Sequence, residues 1–94
     1  MKDGEHIEYY ESGEIECKYW ILDGKKNGEY ISYFLSGEIS IKYNWLGGKK
    51  HGEFIDYYKS GDIWSKSYHI NGKFVSESEW LSYNRNIKLE LLGL

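Results

Sequence analysis

The sequence has no proline, one cysteine and no apolar run near the roughly 20 residues that a membrane-spanning helix needs. Each shortage excludes something. Without proline no strand is interrupted, but one common device for blunting a sheet edge is missing too. Cys17 alone cannot close an internal disulfide, which suits a reducing cytoplasm. Asp3, Glu5 and Glu8 contradict a signal peptide. A formal charge of −3 supplies no overall positive field to draw phosphates in, which argues against a general nucleic-acid binder. With 94 residues, 40% of them apolar and 29% charged, the expectation is a single folded domain with a modest core.

What the chain has in abundance is aromatic side chains, at 18%, and internal repetition. Gly4, Gly28 and Gly52 are each 24 residues apart. The three units divide at 4–27, 28–51 and 52–75, leaving 76–94 as a C-terminal cap. Their columns hold: Ile7, Ile31 and Ile55; Tyr9, Tyr33 and Tyr57; Tyr10, Phe34 and Tyr58. Ser12-Gly13, Ser36-Gly37 and Ser60-Gly61 align as well, then Lys18, Lys42 and Lys66.

Each unit reads as a β-hairpin. Segments such as EYISYFL and EISIKYNWL are rich in β-branched and aromatic residues, as strands are. Ser-Gly separates them, and Asp-Gly, Gly-Gly or Asn-Gly separates the units, supplying the positive φ of tight turns. The expected fold is all-β, an antiparallel meander of about six strands. Side-chain alternation places Ile7, Ile31, Ile55, Tyr9, Tyr33 and Tyr57 on one face, and His6, Tyr30, Phe54, Tyr10, Phe34 and Tyr58 on the other.

The recurring G-E-x-x-x-Y-Y/F-x-S-G-E-I-x-x-K-Y, followed by x-G-K-K-x-G, resembles the MORN repeat in its bacterial and viral variant form. The likeness covers roughly residues 4–75. It implies an elongated, twisted sheet of hairpins without enzymatic activity, in scaffolds, protein-binding modules and some antitoxin or immunity proteins. It also implies a cytoplasmic setting in a bacterial or infected host cell, with acidic phospholipid as another ligand of the family. YHINGKFVSESEW, Tyr68 to Trp80, further resembles the ends of repeat proteins of phages and large DNA viruses.

The third unit departs from the pattern, with Lys73-Phe74-Val75-Ser76 in place of Lys-Lys-x-Gly. Repetition stops there, as at a terminal cap. Ser76 and Glu79 have capping-box spacing, and Trp80, Tyr83, Ile87 and Leu91 then make an apolar helical stripe. Asn84-Arg85-Asn86 is a poor helix stretch, and Ile87, Leu89 and Leu91 also alternate, so a short helix and an extended cap compete.

Residue chemistry favours binding over catalysis. His6, His51, His69 and Cys17 lack metal-ligand spacing and fall in different columns. Glu14, Glu38 and Asp62 follow equivalent turns about 9–10 Å apart, too far to share a proton, and read as a solvated acidic edge. The turn serines have no sequence-placed base, and no P-loop or nucleophile elbow is present, so neither a cofactor nor an enzyme is expected. Tyr30, Phe34, Trp45, Phe54, Tyr58 and Trp64, with Trp20 behind them, are candidate contacts for a protein partner. Lys25, Lys26, Lys49, Lys50 and Lys73 form a candidate basic patch at the opposite end from the acidic turns, open to anionic lipid or nucleic acid. Unpaired sheet edges and the leucine-rich tail offer two routes to a homodimer.

Overall fold

The computed structural model describes residues 2–93. They form an antiparallel meander of eight strands: β1 (Gly4–Tyr9), β2 (Ile15–Leu22), β3 (Lys25–Lys26), β4 (Gly28–Tyr33), β5 (Ile39–Leu46), β6 (Lys49–Tyr57), β7 (Ile63–Ile70) and β8 (Lys73–Val75). Among the described residues a single helix, α1 (Glu77–Leu91), follows the strands. The sheet order is β1-β2-β4-β5-β6-β7-β8, with β3 paired to β2, and the sheet does not close. The molecule is a plate of 52 × 34 × 22 Å.

Eight strands replace the expected six or so, because Lys25–Lys26 and Lys73–Val75 are short strands rather than loop, while Lys49-Lys50 begins β6. Asp23-Gly24, Gly47-Gly48 and Asn71-Gly72 all hold positive φ, between 49° and 88°. Two successive positive φ values make the tightest reversal, matched to strand twist. The lysines that follow pair back at once: Lys25 and Lys26 with Leu22 and Ile21, and Lys49 with Leu46. The turns are also tied across units. Gly48 N donates to Lys26 O at 2.9 Å, and Gly72 N donates to Lys50 O at 2.8 Å. Asn27 Oδ1 accepts from Gly47 N at 3.0 Å, and His51 Nδ1 from Asn71 N at 3.2 Å.

The Ser-Gly turns at the other end are alike in all three places. Tyr10, Phe34 and Tyr58 each donate their N–H to the carbonyl four residues on, and each accepts from the glycine three residues on, at 2.8–2.9 Å. The Ser12, Ser36 and Ser60 hydroxyls donate to the Glu14, Glu38 and Asp62 carboxylates. These carboxylates therefore support turns. Their serine bonds hold the carboxyls of Glu14 and Glu38 below the usual carboxylate range.

A single layer buries little. Cys17 and Ile21 are buried on one face, Tyr68 and Val75 on the other. The helix is continuous through Asn84-Arg85-Asn86, with the Ser76–Glu79 capping box formed in both directions. Two satisfied backbone donors and acidic residues in the first turn offset the weak middle. Trp80 stacks on Tyr68 and lies against Gly52, where a Cβ would sit 3.7 Å from the ring. Tyr83 meets His51. The cap thus covers one corner, not a whole sheet face, and Leu91 is 82% exposed. Among the described residues no helix is long and apolar enough to cross a membrane.

Candidate functional site

Strand register fixes the main surface feature. His6 pairs with Tyr19, Tyr30 with Tyr43, Tyr43 with Phe54, and His69 with Phe74. Their side chains therefore share one face, here the ring face, and line up across the strands. His6 stacks on Tyr19 at 5.4 Å between centroids, Tyr19 on Tyr30 at 6.2 Å, and Tyr43 on both Tyr30 and Phe54 at 4.7 Å. Phe54 continues to His69 at 6.0 Å, and His69 to Phe74 at 5.9 Å. An unbroken row of rings crosses the sheet from edge to edge. Such pairs contribute about 0.5–1.5 kcal/mol each beyond their area.

Two lysines lie on this row. Lys26 Nζ sits 5.5 Å from the Tyr19 ring and 5.1 Å from Trp45. Lys50 Nζ sits 5.2 Å from Tyr43 and 5.0 Å from Phe54. Cation–π contacts at such sites contribute about 0.5–1 kcal/mol. Packing also tunes the polar tips. Burial raises the phenols of Tyr19, Tyr30 and Tyr43, with Tyr30 shifted furthest. Burial, followed by the Lys50 charge, lowers the His69 imidazole. The Cys17 thiol is raised, again chiefly by burial, and donates to Glu8 Oε2 at 3.6 Å. Trp45 Nε1 is shut from solvent and meets no acceptor among the described residues, at a cost of about 1–3 kcal/mol.

Three of the six aromatic candidates come together here: Tyr30, Trp45 and Phe54. The other three do not join them. Phe34 and Tyr58 open the Ser-Gly turns, and Trp64 alternates with Lys66 and Tyr68 onto the far face, as Trp20 does with Lys18. Period-2 alternation likewise divides the five-lysine patch. Lys26 and Lys50 lie over the rings, whereas Lys25 and Lys49 run their stems along Gly48 and Gly72. Lys73, opposite Ile70, holds the same column as Lys25 and Lys49. The far face also carries the Lys42–Glu29 and Lys66–Glu53 pairs at 3.5 and 3.4 Å. Both are exposed, and pairs of that kind stabilise little.

No family model, curated protein or solved structure matches this chain. Tyr19, Tyr43, His6, His69 and Phe74 complete the row and were not singled out from the sequence as contacts. Their signal was available in the turn lengths: a turn of the Tyr10–Gly13 kind sets which residues oppose each other, and so puts Tyr19 beside His6. A second concavity, of about 420 Å³, lies between α1 and the sheet, where His51, Trp80 and Asn84 meet Asn44, Leu46 and Glu53. It is open and mixed in polarity. The ring row runs further, from His6 on β1 to Phe74 on β8.

Proposed function

We propose that the chain is a non-enzymatic protein-interaction module, of the inhibitor, antitoxin or immunity type, that occludes a protein partner with its ring face. The observation that carries this reading is the row itself. Its rings are prestacked and half-exposed, apart from the more open Phe74, and no second layer lies over them among the described residues. Rings already held by their neighbours lose little side-chain freedom on binding, and aromatic residues dominate interface hot spots. Lys26 and Lys50 place positive charge on the strip and favour a partner with an acidic patch. The resemblance to MORN-variant repeats points the same way. Anionic lipid or nucleic acid is the weaker reading, because one lysine of each pair lies over rings rather than joining a single basic edge.

The test is capture from the native host by three immobilised chains: the parent, a ring-face variant (Trp45→Ala with Phe74→Ala) and a far-face variant (Trp20→Ala with Trp64→Ala). A specific partner should bind the parent and far-face chains and be lost about tenfold or more from the ring-face chain, since a hot-spot ring is worth roughly 2 kcal/mol. Loss confined to the far-face variant, or no specific partner, would overturn the proposal.

A further inference from the structure

β7 runs from Ile63 to Ile70, yet β8 pairs only with Tyr68, His69 and Ile70. Among the described residues, Ile63–Ser67 is therefore paired on one side alone, to β6. The matching stretches earlier in the chain are paired on both sides. Cys17 and Lys18 of β2 take Ser32 and Ile31 of β4, while Ile41 and Lys42 of β5 take Asp56 and Ile55 of β6. Beside Ser65 and Lys66 the corresponding strand is missing, because Ser76 starts the helix instead. The helix does not cover the gap. It turns back onto Tyr68, Gly52 and His51, leaving Ile63 and Trp64 at 51% and 63% exposed.

The opposite edge of the sheet is β1, also paired on one side only. Its sequence is GEHIEY. The strands that fill the equivalent places inside the chain read GEYISY in β4 and GEFIDY in β6. The β1 strand thus has the same glycine, glutamate, isoleucine and tyrosine positions as the strands the gap is built to accept.

We propose that Ile63–Ser67 of one copy accepts β1 of a second copy as an antiparallel strand, with Ile7 opposite Lys66 and Glu8 opposite Ser65. Val75 and Ser76 already hold the columns of Asp3 and Gly4, so docking starts at His6 and the added ladder is short. A short ladder has a precedent in the same sheet: β2 and β4 join through two residue pairs. The contact is head to tail. Each added copy presents a new open β7, so assembly does not close at two copies. Pairing at the edges leaves the ring face uncovered, and the inference stands apart from the partner reading above.

Two purified chains test the register, each carrying Cys17→Ser, one with Ile7→Cys and the other with Lys66→Cys. Mixed under gentle oxidation, they should form the mixed disulfide in clear excess over both homodimers. A homodimer in excess, the statistical mixture, or no disulfide would overturn the proposal. Sedimentation of the unsubstituted chain gives an independent reading. Average mass should rise with concentration past the dimer, whereas a constant monomer mass or a plateau at the dimer contradicts head-to-tail addition.

Discussion

Ile21 and His69 show how a one-layer sheet uses single residues. Ile21 is 2% exposed, the most buried apolar side chain of the ring face. Ile21→Ala should lower the unfolding free energy by about 2–4 kcal/mol, measured by urea denaturation, because the deletion leaves a cavity as well as losing burial. A loss below about 1 kcal/mol would mean the sheet simply closes over the gap. His69 makes a pH prediction. Its folded-state affinity for a proton is lowered from the usual 6.5 by burial among the rings and by Lys50. The unfolded chain therefore takes up this proton first as pH falls. The stability it contributes is complete above the ordinary histidine range and is lost as pH drops through it. His69→Gln should flatten the fall in the urea midpoint between about pH 7 and 5, and an unchanged slope would place the effect elsewhere. Ile21 and Tyr19 share one face by alternation, but which of them is buried depends on neighbours brought in by register.

Among the elements, the hairpins were legible and the lysine strands were not. Ser-Gly and Asp-Gly, Gly-Gly or Asn-Gly announce turns because few residues tolerate their backbone angles. Lys25-Lys26 looked like loop because lysine is a poor strand former, and backbone pairing to Ile21 and Leu22 overrides that preference. The tail reversed the lesson. Asn84-Arg85-Asn86 argues against a helix locally, yet the capping box and the docking of Trp80 and Tyr83 carry α1 through. Ser76→Ala should therefore cost about 1 kcal/mol and lower helical ellipticity before the sheet melts. Simultaneous loss of both signals at an unchanged midpoint would show that the cap contributes nothing separate.

For the whole molecule, the meander was readable from the 24-residue spacing and the grouping of His6, Tyr30 and Phe54 from alternation, while the joining of different strands' rings into one row was not. Trp64 and Phe54 look equivalent as exposed aromatics in sequence, but the pairing of Phe54 with Ser67 leaves Trp64, in phase with Lys66, on the opposite face. Tyr30, Trp45 and Phe54 become one surface only when the strands are in register with His6, Tyr19, Tyr43, His69 and Phe74. That surface is the proposed binding face. A photo-crosslinking amino acid placed at Phe74, 68% exposed at the end of the row, tests it in the native host. Set beside the same probe at Trp64 on the far face, Phe74 should yield a discrete adduct with another protein and Trp64 should not. Self-adducts are set apart by their mass. A foreign adduct from Trp64 alone, or from neither position, would contradict the ring face as the binding surface.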